Sequence, residues 1–423
     1  MRRSSFFLLT SSVLTAGLGF VFWVMVARFY PPEQVGLATS LISATSLLAY
    51  LSLFGVNSTL VRFPAVDGSR NAQITQALVL VASIAVVAGV LYLFGLAWYG
   101  PKLLFIRRNL LTAGLFVLFC VWAAVNQLTD SVFIAARQSQ YNVLVDGLLQ
   151  GVVKLLLPVG LAGFGVYGIL GSAGAGYAVA ALASLLLMRL RTGFRPDFYG
   201  RGTRLREQLP FALSSYVSSL LNLLPVMVLP LIVLEHLGTA ATGFYYMAFQ
   251  IASLLHAISL AVSEAVFAEV SSDESLFGVL LRRSARTLVV VQVPAVLAVV
   301  LGSGLLLRLF GSAYHHSAQG ALVTLAVGAL AVALNTWSSF ALKLAGRMGH
   351  LILSNIVFCG LTIGLAAYVA PHGLLWVAGA WGVGNLASGL YAVVVLATAR
   401  TLRQEGAPDR GTDPAIRTRG LAQ

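Results

Sequence analysis

Charge is what this sequence has least of. Only 10% of its 423 residues are Asp, Glu, Lys or Arg, against about 25% in an ordinary soluble domain. So few charges cannot cover the surface of a chain this long, which excludes the soluble classes. The 58% hydrophobic content equally excludes a disordered chain, because such chains are poor in apolar residues. Cysteine is nearly missing. Cys120 and Cys359 lie in apolar runs, match no metal spacing, and are too few for a disulfide scaffold. They read as small buried hydrophobes. The adjacent His315 and His316 lack a third ligand nearby, and no H-E-x-x-H, G-x-S-x-G or G-x-x-x-x-G-K-[ST] occurs. The expectation is a protein that is not an enzyme and uses no cofactor or metal.

What the chain does have is long apolar runs. A helix crossing the hydrocarbon core needs about 20 apolar residues. By that ruler there are twelve spans, in two sets of six. The first set is Ser5–Phe29, Gln34–Leu60, Ala72–Trp98, Asn109–Ala135, Tyr141–Gly163 and Tyr167–Leu190. The second is Leu209–Leu234, Gly238–Phe267, Thr287–Leu309, Ala318–Leu342, His350–Val369 and Gly373–Ala399. Arg2 and Arg3 ahead of the first run suggest a signal peptide, but the run is too long and no A-x-A site follows. It reads as a span.

Basic residues orient the spans. With the N-terminus inside, 21 of the 27 Lys and Arg fall on the cytoplasmic side, 5 fall outside, and Lys154 is left within a span. The expectation is therefore a multi-pass protein of the cell inner membrane with both termini cytoplasmic. The excess positive charge also favours contact with anionic membrane lipid. Nucleic acid is not an expected partner, because no soluble domain exists to carry a basic face. The longest polar interruption divides the chain into an N-terminal lobe (1–190), a basic cytoplasmic linker (191–208), and a C-terminal lobe (209–399). A Gly-, Pro- and Arg-containing tail at 400–423 reads as disordered.

The lobes resemble each other at an offset of 207. Ser11-Ser12 precede Gly36 by 25 residues as Ser218-Ser219 precede Gly243, Asn57 falls opposite Glu264, and Arg62 opposite Glu269. Six spans per lobe make the repeat parallel, a plan used by transporters whose substrate site lies at midplane between the halves.

Ionisable residues inside spans cost about 2.5–3.5 kcal/mol each on insertion scales, so each needs a reason. Span five places Asp146, Gln150 and Lys154 on one stripe at every fourth residue. Lys154 stands about 12 Å along the axis from Asp146, so it needs an acid on another helix or a water-filled cavity. A structural ion pair and a cation awaiting an anionic substrate are both open. Span four carries Asn126, Asp130 and Arg137 on one face. Asp130 falls at the depth of Asp146, where two acids can share a proton or a cation; a pair with Arg137 is the alternative. His256 and Glu264, two turns apart in span eight, have the parts of a proton relay, unless Glu264 is merely solvated. Asp130, Asp146, His256 and Glu264 are thus the candidate ion-coupling residues. Lys154, with Arg28 at the outer mouth and Arg62 and Arg137 at the inner ends of spans two and four, forms a candidate ladder for an anionic substrate. Pro158, Pro225, Pro230 and Pro294 favour kinks, and Pro225 with Pro230 suggests that span seven bends or breaks. Gly168, Gly171, Gly174 and Gly176 read as helix packing rather than a dinucleotide site, since no strand precedes them.

The segment "ARFYPPEQVGLATSLISATSLLAYLSLFGVNSTLVRF" (27–63) resembles the first hairpin of the polysaccharide-transporter (Wzx-type) proteins. These belong to the multidrug/oligosaccharidyl-lipid/polysaccharide (MOP) flippase superfamily. The resemblance continues in "HLGTAATGFYYMAFQIASLL" (236–255) and "LLRLFGSAYHHSAQGALVTLAV" (306–327). It implies an all-α integral membrane protein with the MATE-like MOP fold, about twelve helices in two lobes around a cationic cavity. It further implies outward flipping of a polyprenyl-diphosphate-linked glycan for surface polysaccharide synthesis, with a polysaccharide polymerase and glycosyltransferases as partners. A multidrug or small-molecule exporter of the same superfamily, and a non-transporting scaffold of a glycan assembly complex, are the alternatives. The family has no strict motif that assigns residues to the diphosphate, so the roles given to Lys154, Arg28, Arg62 and Arg137 rest on their positions alone.

Overall fold

The computed structural model describes residues 2–62, 69–198, 205–270 and 277–405. Helices account for almost all of them, and no strand occurs among the described residues. The N-terminal lobe holds α1 (Arg2–Phe29), α2 (Pro32–Leu53), α3 (Val56–Arg62), α4 (Arg70–Tyr99), α5 (Leu110–Ala135), α6 (Gln140–Gly160) and α7 (Val166–Arg191). The C-terminal lobe holds α8 (Leu205–Leu237), α9 (Thr239–Val270), α10 (Phe277–Leu301), α11 (Ser303–Arg308), α12 (Ser312–Ser317), α13 (Gln319–Leu344), α14 (Met348–Val369) and α15 (Leu374–Glu405). Eleven of these helices are long and apolar enough to cross a membrane, and α1 adds the apolar stretch Leu14–Phe29. Successive crossings bring both ends of the helical chain to one face, called here the terminal face; the opposite one is the far face.

The local chemistry explains most boundaries. Pro32 sits in the first turn of α2, where its missing N–H costs nothing. The Asn109 side chain caps α5 by accepting from the Leu111 amide at 2.9 Å. Span two, expected as one helix over Gln34–Leu60, is instead split between α2 and α3. Phe54 and Gly55 both take left-handed backbone, with φ of 44° and 79°, and only glycine does so without steric cost. Span nine likewise ends at Leu301, short of the expected Leu309, because Gly302 separates it from α11. Span seven, expected to bend or break, is not broken: α8 runs continuously through Pro225 and Pro230. Spanning helices tolerate proline where neighbouring helices satisfy the freed backbone groups. α15 continues to Glu405, past the expected start of the tail, and 406–423 lie outside the described residues. So does part of the expected linker, 199–204.

Without a hydrophobic force between helices in lipid, association depends on close packing and interhelical hydrogen bonds. One very close contact joins the lobes. A Cβ on Gly36 of α2 would stand 1.8 Å from the Thr239 carbonyl oxygen, and one on Gly243 of α9 would stand 2.5 Å from that of Pro32. These contacts are reciprocal: 36 and 243, like 32 and 239, are 207 apart. The offset seen in the sequence is therefore a pseudo-twofold in space. The largest core cluster lies on this seam, where Trp23, Val26 and Leu41 pack with Tyr245, Phe249 and Phe310. Outward-facing side chains such as Leu156, 70% exposed, form the surface offered to lipid.

Candidate functional site

A cavity of about 600 Å³ opens inside the N-terminal lobe, between α1, α5, α6 and α7. Asn142, Asp146, Gln150 and Lys154 line it from α6. They stay in register because residues Val143–Gln150 are wound as a π-helix. In an α-helix every fourth residue advances by roughly 40° around the axis; the wider i→i+5 winding turns less per residue and offsets that drift.

The Asp130 carboxyl, from α5, meets that of Asp146 at hydrogen-bonding distance. Asn126 Nδ2 donates to Asp146 Oδ1 at 2.9 Å, and Asn142 Nδ2 reaches the Asp130 carbonyl at 3.4 Å. Three buried oxygens in this cluster have no partner among the described residues: Asn126 Oδ1, Asp130 Oδ1 and Asn142 Oδ1. Buried acceptors left this way cost free energy, and two touching carboxylates call for a shared proton or a cation. Lys154 occupies the other end of the cavity. Its stem lies on Gly176, where a Cβ would stand 2.8 Å from Lys154 Cγ, and its Nζ sits 4.3 Å from the Tyr177 ring centroid. Asp146 is within electrostatic reach of that ammonium. One cavity thus offers oxygen ligands for a cation and an ammonium for an anion.

The other candidate residues are elsewhere. Arg62 and Arg137 are exposed at the terminal-face ends of their spans, Arg137 with a left-handed backbone (φ 56°). Arg28, at the far face, bridges the lobes: Nε donates to the Leu309 carbonyl at 2.7 Å and Nη2 to that of Arg308 at 3.1 Å. Lys102 does the same, donating from Nζ to the carbonyls of Leu234 and Glu235, both at 2.7 Å. Positions 28 and 235, and 102 and 309, are again 207 apart. The two bridges are symmetry mates, although both cations come from the N-terminal lobe. Nearer the terminal face the lobes meet through Tyr216, which stacks on Tyr50 at 5.6 Å and donates to the Leu51 carbonyl at 3.0 Å.

His256 and Glu264 are not joined. The imidazole packs against Phe249 and Trp381, with its buried Nε2 unpartnered, while Glu264 is exposed and its charge partner is Lys343. Sequence reasoning passed over Asn142, Tyr177 and Lys102. Asn142 was within reach, since it extends the stripe of fourth residues one step back; Lys102 gave no signal, because its partners are backbone carbonyls.

The C-terminal lobe has polar residues of a different kind. Asn335 Nδ2 donates to Asn385 Oδ1 at 3.0 Å, Asn385 Nδ2 to the Trp381 carbonyl at 2.9 Å, and Ser388 Oγ to Asn335 Oδ1 at 2.9 Å. Asn222 Nδ2 donates to Asn355 Oδ1 at 2.8 Å, and Asn355 Nδ2 to Ser218 Oγ at 2.8 Å. These bonds tie α13 to α15 and α8 to α14, and the Ser354 and Ser388 hydroxyls, 2.7 Å apart, join α14 to α15.

Residues 1–267 match the family model described as polysaccharide biosynthesis protein. The chain belongs to that family. The fold of this family member is shared with solved MOP-superfamily transporters. An inward-facing multidrug resistance MATE transporter of that superfamily superposes with a TM-score of 0.72 at 14% identity, covering 95% of this chain and 99% of that one. The lipid II flippase MurJ, in an inward closed conformation, gives 0.72 at 12% identity, with 92% and 86% covered. A MOP transporter from Pyrococcus furiosus, reported with a binding pocket of reversed polarity, gives 0.58 at 14% identity, with 95% of each chain covered. No curated protein matches the chain. The expected all-α MOP fold and the family are therefore both established, with eleven helices among the described residues long and apolar enough to cross a membrane.

Proposed function

We propose that this member of the polysaccharide biosynthesis family flips a polyprenyl-diphosphate-linked oligosaccharide from the inner to the outer leaflet by alternating access. The terminal face is cytoplasmic in this reading, supported by the 21-to-5 distribution of basic residues. The observation that carries the proposal is Lys154, an ammonium lining a cavity within a span. A lipid diphosphate must bring its charge across a medium where bare charge is very costly, and a fixed cation in a hydrated cavity lowers that cost. Arg62 and Arg137 lie where such a substrate enters from the cytoplasmic side. Arg28 lies where it leaves, released from its carbonyls when the far face opens.

Ion coupling fits the same cavity. A cation or proton on Asp130 and Asp146 frees Lys154 from their field, and an anion on Lys154 favours that cation in return, as reciprocal linkage requires. His256 and Glu264 are a second coupling candidate, acting separately rather than as a relay, since the structure gives them different neighbours. Export of a small molecule is the competing reading, favoured by the acid pair itself.

The test is a strain lacking its own flippase, complemented by this gene. Lys154→Ala should lose surface glycan while Lys154→Arg keeps part of it. Normal export by Lys154→Ala at equal protein level would sink the assignment and leave Lys154 a structural partner of Asp146. Reporters fused after Gly193 and Gly238 should read as cytoplasmic and external respectively; the reverse would invert the direction.

A further inference from the structure

Few basic residues lie on the far face, yet two of them are adjacent. Arg107 and Arg108 end the short 3-10 helix Pro101–Arg107 that links α4 to α5. They stand over a groove of about 510 Å³ between those helices, walled by Val90, Leu93, Phe94, Leu110 and Ala113. Its floor is open at Gly114, where an added Cβ would meet nothing within 4 Å. Phe94 and Leu110 are 64% and 88% exposed, so the groove faces the bilayer. No acidic residue lines it.

The guanidinium of Arg107 lies 5.8 Å from the Phe94 ring centroid, and its Nη1 makes only long contacts, 3.4 and 3.5 Å, to the carbonyls of Phe94 and Leu93. Such lengths are at the weak limit of hydrogen bonding, so Arg107 can exchange them for a stronger acceptor. Arg108 is exposed beside it. Two guanidinium groups at the mouth of an apolar trough complement a molecule that carries a phosphate on an acyl chain.

We propose that this groove binds an anionic glycerophospholipid from the leaflet at the far face. Its phosphate rests on Arg107 and Arg108, and one acyl chain runs along Leu93, Ala113 and Gly114. The site is independent of the transport reading, because it shares no residue with the Lys154 cavity. It also occupies one end of the seven-residue helix whose other end carries Lys102, so a bound lipid anchors the segment that bridges the lobes.

Native mass spectrometry of the purified full chain, titrated with phosphatidylglycerol or phosphatidylcholine, tests this. The wild-type protein should retain phosphatidylglycerol about fivefold better, a preference worth ~1 kcal/mol. The double variant R107A/R108A should bring that ratio close to one. R282A/R283A, at the terminal face, should leave it unchanged. Gly114→Leu fills the trough and should weaken retention of both lipids. Unchanged selectivity in R107A/R108A, or an equal loss in R282A/R283A, would overturn the site. So would displacement of phosphatidylglycerol by inorganic phosphate alone, which would mark an anion site rather than a lipid site.

Discussion

Asparagine behaves differently in the two lobes. In the C-terminal lobe Asn335, Asn355 and Asn385 have both ends of their amides engaged, each bond linking one helix to another or closing a turn. In the N-terminal lobe Asn126 and Asn142 donate from nitrogen, while their buried oxygens have no partner among the described residues, next to Asp130 and Asp146. A polar network that satisfies itself is a structural device, whereas buried acceptors left unpaired beside a cavity fit the ligand site proposed above. Related halves of one fold thus differ in their polar cores: the C-terminal one ties its helices together, and the N-terminal one is where the proposed substrate would sit.

That contrast supposes that the lobes close on each other as units, so the largest effect should come from their seam. Gly36→Leu pushes a side chain into the Thr239 carbonyl. It should abolish transport, and spin labels at the far-face ends of α2 and α9 should report a longer inter-lobe distance. A normal distance with normal transport would mean the seam is not needed for closure.

Next comes the acid pair. Asp130→Asn with Asp146→Asn should reduce transport at least about tenfold, or ~1.4 kcal/mol in the barrier. Thermal stability should be unchanged or higher, because two touching carboxylates are removed. If the double variant unfolds and transports in proportion to what remains folded, the cluster is structural after all.

The smallest effect belongs to the other lobe. Asn335→Ala breaks a satisfied network and should lower stability by about 1 kcal/mol, in the range for interhelical hydrogen bonds in bilayers. Transport per folded molecule should stay within about twofold. A stable variant that has lost transport would erase the distinction between the lobes.

The spans were legible in the sequence because hydropathy is a sum over about 20 residues, and single errors average out. Their interruptions were not. The left-handed Phe54–Gly55 pair and the π-wound stretch of α6 are local backbone choices that leave the summed pattern unchanged. The repeat was readable at Gly36 and Gly243 because backbone contact there admits no side chain, so both copies must keep glycine. The meeting of Asp130 and Asp146 could be reached by counting depth along two antiparallel neighbours. His256 and Glu264 show the limit of such counting. Eight residues apart on one helix they are separated by about 12 Å along its axis, and His256 stacks on Trp381 of α15 while Glu264 feels Lys343 of α13.

The bridges made by Arg28 and Lys102 have one further property. Their acceptors are peptide carbonyls at positions 234, 235, 308 and 309, and a peptide carbonyl has no proton to gain or lose near neutrality. It is also present whatever side chain occupies its position. On the acceptor side the far-face closure is thus insulated twice, from acidity and from substitution. Drift at those four positions leaves the bridges intact, while the loss of either cation removes one outright.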